Sequence, residues 1–421
     1  MSLLGDMTLS RTPRSSRTSR SSRTAALLGV AALAAAALVP VASTPAVASS
    51  DQGRACVSSP EPAQGAALQI LKIAKADQQQ FGLNSVILKV TKGRQNVLTK
   101  ALGESMTGVP ADTDMQFRTG SVGIAYMATI LLQLAEKGIV DLDAPVAPLL
   151  PKVLQVKGAD KITLRMLGNS TSGLHDYVID PDFLAALEPH PFRYWTEDDV
   201  LAYPFHHDLW YAPGTNWSYS HANFVLEGEA LEKITGVPLD QLLKQRVLQP
   251  LGLDHTFIDA KPPITDPVHA FTSERGTYEE STFWNPSWTT AHGAILTQNI
   301  CDLATSARAI GTGRLLSPAW RQFQLNPGTV GLGDPSKCPP GICRLNTQAA
   351  HYGFGVQVVN TWVVQNPSFS GYFAVQAYLP SQDLSIAVNT TDGPTTTPNV
   401  NYAQTVATDI AAALAPAYPL G

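Results

Sequence analysis

Residues 122–137 (VGIAYMATILLQLAEK) place the strongest constraint on the fold. Read at helical spacing, their leucines and isoleucines cover most of the helix circumference, so no face is left for water. Such a helix must be enclosed by other layers, and Gly138 stops it. The chain is long enough to build that enclosure: 421 residues allow one large domain or two ordinary ones. Hydrophobic residues make up 44% and charged residues 15%, the latter low against about 25% in typical domains. That apolar content excludes disorder for most of the chain. The 31 glycines and 31 prolines follow no period, which excludes a fibrous fold.

The first fifty residues read as an address. Arg11, Arg14, Arg17, Arg20 and Arg23 stand in a Ser/Thr-rich stretch with one acid, Asp6. An apolar run over residues 25–42 follows, and Ala46-Val47-Ala48 closes it with small residues. This order is that of a secretory signal peptide, expected over residues 1–48, with a linker at 49–61 and the working domain at 62–421. The expected location is secreted or extracytoplasmic, with no stable membrane insertion after cleavage. The whole chain carries net charge −5; without residues 1–24 it holds 24 basic against 33 acidic side chains. A broad basic surface for nucleic acid is therefore not expected. Four cysteines remain after cleavage, Cys56, Cys301, Cys338 and Cys343, and four allow three pairings. An oxidising compartment favours disulfides. The Cys338-Pro-Pro-Gly-Ile-Cys343 turn can close on itself, which leaves Cys56 for Cys301; a zinc site with His351 is the lesser alternative.

Residues 62–80 place apolar side chains at helical spacing. Asn84–Thr91 and Asn96–Leu102 alternate and are rich in β-branched residues, with Lys92-Gly93-Arg94 as their turn. A helix is expected at about 298–310, strands at Gly353–Val359, Gly371–Leu379 and Leu384–Asn389, and a last helix at about 402–414. Helix and strands at both ends enclose a helical stretch at about 139–290. The fold class expected is α/β in the α+β sense: one antiparallel sheet flanked by N- and C-terminal helices, with a helical subdomain beside it.

Several runs carry a resemblance. They are Phe117-Arg-Thr-Gly-Ser-Val-Gly-Ile124, Gly138-Ile-Val-Asp-Leu-Asp-Ala-Pro145, Ile162-Thr-Leu-Arg-Met-Leu-Gly-Asn-Ser-Thr-Ser-Gly-Leu174, Pro213-Gly-Thr-Asn-Trp-Ser-Tyr-Ser-His221 and Tyr352-Gly-Phe-Gly355. Together they resemble the penicillin-recognising serine hydrolases, in particular the class C β-lactamase and D-alanyl-D-alanine carboxypeptidase branch. The resemblance implies a β-lactamase/transpeptidase-like fold and three motifs. In Ser-x-x-Lys, the serine attacks a carbonyl and the lysine, one helical turn on, activates it. Ser121 matches the serine, and Ile124 stands at the lysine position. In Tyr-x-Asn, Tyr219 matches the tyrosine and His221 replaces the asparagine. A histidine there can serve as a base near neutral pH. The third motif, Lys- or His-Thr-Gly, falls on Gln365-Asn366-Pro367, with neither a cation nor a glycine. The expected substrate contacts are Gln365, Asn366 and Ser368, and the amides of Ser121 and Ser368 form the expected oxyanion hole.

Losing a positioned base costs about 10²–10⁴ in rate. The expectation is therefore a family member with a ligand cleft and lost or very weak activity. The competing expectation is a working esterase, carboxypeptidase or β-lactamase-like enzyme that acylates Ser121 with Tyr219 and His221 as base. Neither needs a cofactor or metal. The partner in either case is a small molecule or a peptidoglycan-like peptide. His206-His207-Asp208 reads as a surface loop rather than a metal cluster, and Phe283, Trp284 and Trp288 read as core. Ser170, where relatives often place a histidine, reads as structural.

Overall fold

The computed structural model describes residues 55–421, so the expected signal peptide and residues 49–54 of the linker lie outside the described residues. Helix α1 (Gly65–Phe81) leads into β1 (Ser85–Lys92) and β2 (Gln95–Met106), joined by the expected turn. Val86, Leu88 and Val90 alternate with Ile87 along β1 and enter two different cores, as period-two geometry requires. The other strands of the main sheet are β3 (Val109–Pro110), β4 (Ala350–Tyr352), β5 (Gln357–Val359), β6 (Trp362–Gln365), β7 (Ser368–Phe369), β8 (Tyr372–Leu379) and β9 (Leu384–Thr391). Their order is β3-β2-β1-β9-β8-β6-β5-β4, with β7 also paired to β8. The β1–β9 ladder, Ser85 against Thr391 through Lys92 against Leu384, joins the two ends of the chain.

The sheet separates two apolar layers. On one face α1 and α5 (Tyr402–Leu414) cover Val86, Leu88, Val375 and Val388. On the other lie α2 (Val122–Glu136), α3 (His221–Thr235) and α4 (Ile300–Thr312), with the shorter helices and turns of residues 151–251 beside them. Helix α2 is buried at twelve of its fifteen positions, the enclosure its composition demands. Cys56 is bonded to Cys301 and Cys338 to Cys343, with Cα–Cα distances of 5.6 and 5.7 Å. His351, the alternative zinc ligand, instead bonds the carbonyls of Leu325 (2.9 Å) and Thr347 (3.2 Å).

Two details depart from expectation. Residues 353–359 are not one strand, because Gly353 N–H donates to Val356 O at 2.7 Å and Gly355 takes φ +67°, turning the chain between β4 and β5. Phe283 is 40% exposed and lies edge-on to His269, whereas Trp284 is buried and Trp288 packs against the core. One core residue is out of character. Glu227 on α3 is fully buried and neither carboxyl oxygen has a partner. Burial pushes its pKa up to about 8.

Candidate active site

The site begins where the chain enters α2. Phe117–Arg118 pairs with Leu296–Gln298, and Thr119 N–H donates to Leu296 O at 3.1 Å. Gly120 then turns with φ +25°, and Ser121 occupies the N-cap position of α2, partly exposed. Two residues on, a Cβ at Gly123 would collide with Ala294 O, so glycine lets the first turn of α2 sit against that loop. The Val122, Gly123 and Ile124 amides are tied to the carbonyls of Thr119, Gly120 and Ser121 at 2.9–3.1 Å.

Ile124 lies one turn beyond Ser121, where the resemblance expects lysine, and is 1% exposed. The Tyr352–Gly355 turn closes over α2 at this level, since a Cβ on Gly355 would meet Ile124 O at 3.0 Å. The position under the serine is therefore apolar and packed.

Tyr219 lies close enough to Ser121 for the serine side chain to bear on the ionisation of its phenol. The ring sits among Phe224 (5.4 Å between centroids), Tyr352 (5.9 Å) and His221 (5.0 Å, edge-on). Burial first, and the Asp176 carboxylate second, push its pKa well above the usual phenol range. The phenol is thus neutral and can pass a proton on but cannot act as an anionic base.

His221 opens α3, and its Nδ1 lies 3.0 and 3.1 Å from the two oxygens of Asp176. Asp176 also accepts the amides of His221 (3.1 Å) and Val178 (3.2 Å). Nδ1–H donates to the carboxylate, which leaves Nε2 as the nitrogen free to accept a proton. The sequence reading missed Asp176. The matching run ends at Leu174, two residues before the carboxylate that pairs with His221. Ser220 Oγ donates to His175 O at 2.8 Å and locks the two loops together. Ser170, at φ +60°, donates from Oγ to Ser218 O (2.9 Å) and accepts from Asn223 Nδ2 (3.0 Å), a structural role.

The third element is the β6–β7 strand. Gln365 opposes Gln376 and Ser368 opposes Phe373, so one register runs through the proline between them. Pro367 O accepts from Ala374 N at 3.0 Å, and across a trans peptide the next N–H points the opposite way. Ser368 N–H therefore points away from β8. On Gly120, an added Cβ would stand 3.6 Å from Pro367 Cβ and 3.8 Å from Ser368 O, which sets this strand beside the serine. Two of the expected contacts have partners within the protein. Gln365 is buried, and its amide is spent on Gly355 O. Asn366 accepts from Gln357 Nε2 at 2.7 Å through its side chain and from Asn401 Nδ2 at 3.2 Å through its carbonyl. Gln365 is thus engaged within the scaffold, Asn366 is half-buried, and Ser368 is exposed.

Arg118 supplies a positive charge behind the serine, but its Nη2 donates to the carbonyls of Lys261 (2.9 Å) and Pro262 (2.8 Å), and it is 3% exposed. Burial pulls its pKa down to about 10, so it stays a cation. On the rim, His207 pairs with Asp180 at 2.8 Å, and His175 stacks between His207 and Trp210.

Residues 71–408 match the family model described as beta-lactamase. The chain belongs to the beta-lactamase family. Esterase EstB of Burkholderia gladioli is 33% identical over 172 residues, which is 39% of this chain and 44% of the esterase. Penicillin-binding protein 4 of Amycolatopsis lactamdurans is 32% identical over 156 residues, 35% of this chain and 37% of that protein. The matches thus span less than half the length of these relatives. Among solved structures, a D-stereospecific amidohydrolase from Streptomyces sp. superposes with a TM-score of 0.68 at 27% identity, covering 84% of this chain and 99% of that one. The antiparallel sheet with its flanking helices is thus a β-lactamase-like fold, and the family's relatives include serine hydrolases and penicillin-binding proteins. Among the described residues, no helix is long and apolar enough to cross a membrane.

Proposed function

We propose that this β-lactamase-family protein uses the Ser121 site to bind small amide, ester or peptide ligands and turns them over only very slowly. The observation that carries this reading is Ile124. The position that should hold the activating lysine is apolar and closed to water, so no ammonium one turn from Ser121 answers its ionised form and no amine there takes its proton. The binding half of the site is kept. Ser121 stands partly exposed at a helix N-terminus, and Ser368 N–H points to its side of the strand. Those two amides can receive a ligand carbonyl oxygen. The ligand classes follow the relatives, which are named as an esterase, a penicillin-binding protein and an amidohydrolase. An extracytoplasmic place for the protein is part of the proposal and rests on the leader-like residues 1–48.

A second reading is favoured by one specific observation, the His221–Asp176 pair. Nε2 of an anchored histidine, taking the Ser121 proton by way of Tyr219, would make a working hydrolase. Intact-protein mass separates the two readings. The protein is incubated with a fluorophosphonate and, separately, with penicillin; Ser121→Ala is the control. The expected result is slow fluorophosphonate labelling that vanishes in the control, no penicillin adduct over hours, and labelling accelerated by about 10² or more in folded Ile124→Lys. Fast, stoichiometric acylation of the unaltered protein by penicillin, absent in Ser121→Ala, would overturn the proposal in favour of the second reading.

A further inference from the structure

A concavity away from Ser121 gathers four basic side chains, only one of which is paired with an acid. We propose that it is an anion site for a small ligand bearing two or more phosphoryl groups. It lies between β1, the β1–β2 turn and α4, encloses about 270 Å³, and is lined among others by Lys89, Thr91, Arg94, Thr305, Arg308 and Arg314. The inference does not rest on Ser121 or on its reactivity.

The argument starts from strand periodicity. Val86, Leu88 and Val90 enter the core under α1 and α5, so Lys89 shares the opposite face with Ile87 and Thr91, beneath α4. A lysine on that helix-covered face is costly unless its charge is answered. Its ammonium donates to Thr99 Oγ1 at 3.2 Å and Cys301 Sγ at 3.4 Å, two neutral acceptors. Burial draws its pKa down, and no carboxylate acts against the shift. Thr305, Arg308 and Ala309 lie within about one turn of α4 and face the same space.

The charges can be apportioned. Arg308 makes a two-pronged pair with Asp383, Nε to Oδ1 at 2.8 Å and Nη2 to Oδ2 at 2.7 Å, and Tyr378 also donates to that carboxylate at 2.9 Å. Arg308 is thereby answered. Lys89, Arg94 and Arg314 form no ion pair among the described residues. Three cations therefore share one small space in a chain whose net charge is −5. Guanidinium forks and an ammonium, with the Thr91 hydroxyl, are donors suited to tetrahedral oxyanions. Three uncompensated charges exceed what one phosphoryl group balances, and the volume falls short of the roughly 300–1,000 Å³ that drug-sized ligands occupy. A compact diphosphate-like anion fits both limits. Ser368 beside Ser121 is level with Phe373, Thr390 and Val86 across the ladders, whereas the anion site begins at Lys89 and runs past Thr91. That is roughly 10–20 Å along the strands alone, so a small occupant does not reach the serine.

The test is calorimetric titration of the protein with sodium pyrophosphate at low ionic strength, with inorganic phosphate and sulfate as comparators. Arg94→Ala/Arg314→Ala is the variant, since both side chains are exposed and unpaired and their loss leaves the core intact. Saturable pyrophosphate binding is expected, at least about tenfold tighter than phosphate or sulfate and weakened about tenfold or more in the variant, as for paired Arg contacts. Ser121 labelling stays unchanged in that variant. Absence of saturable binding to the folded protein, equal affinity for all three anions, or equal binding by the variant would each overturn the proposal.

Discussion

Replacing Glu227 by leucine tests whether the interior beside α2 is as dry as the packing implies. In the folded chain the carboxyl is fully buried, without a hydrogen-bond partner, and its pKa stands at about 8 against 4.5 in the ordinary state. Folding therefore favours the protonated acid. Its contribution to stability is intact below pH 4.5 and is lost progressively as pH rises to about 8. At pH 7 the unfolded carboxylate is almost fully ionised and the folded one is not, a difference worth about 3 kcal/mol from the two pKa values at 1.36 kcal/mol per unit. Leucine fills nearly the same volume and removes that term, along with the cost of a buried polar group without a partner. For a domain of about 370 residues, 3 kcal/mol corresponds to a rise of about 4 °C in melting temperature. The assay is a set of melting curves for the unaltered protein and Glu227→Leu from pH 4 to pH 8.5. The gap between them should widen by about 3 kcal/mol from pH 4 to pH 7, leaving at pH 4 only the pH-independent cost of the unpartnered polar group, while Asp302 and Asp392, also raised by burial, shift both curves alike. A constant gap, or a Glu227→Leu protein that melts lower at pH 7, would refute the reasoning. Glu227→Gln gives a second reading, because it removes the ionisation but keeps a buried polar group.

Two further outcomes follow. Asp176→Asn should leave the slow Ser121 labelling within about twofold of the unaltered protein, since the proposed reading gives His221 no part in it; a loss of about tenfold or more in the folded variant would favour His221 as the base of the second reading. Cys56→Ser with Cys301→Ser opens a link between residues 245 apart, and chemical denaturation should show a loss of about 2–5 kcal/mol, the range for native disulfides.

Local patterns in the sequence carried much of this fold. The alternation of Val86, Leu88 and Val90 announces β1, and the all-round apolar surface of residues 122–137 announces a central helix. The expected last helix, 402–414, coincides with α5. What was not legible is set by tertiary contact. The Gly353–Gly355 turn depends on one amide finding Val356 O, and Phe283 is left outside although its neighbour Trp284 is buried. The site divides in the same way. Ser121, Ile124, Tyr219 and His221 stand in runs that can be recognised, whereas Asp176 reaches His221 from 45 residues away. Gln365 looked available only because the sequence does not show Gly355 O taking its amide.

The β1–β9 ladder has a consequence for the order of events during synthesis. Ser85 Oγ and Thr391 Oγ1 meet at 2.7 Å across 306 residues of chain. At about 5–20 residues per second, the first hairpin waits roughly 15–60 s for the strand that must lie beside it. Until then one edge of β1 is open, and α1 lacks the helix α5 that packs against it. A chain that stops short of residue 384 has Ser121, Tyr219 and His221, yet no central strand to join the first hairpin to β8. Completion of the last forty residues is thus the event that turns a long nascent chain into a folded protein.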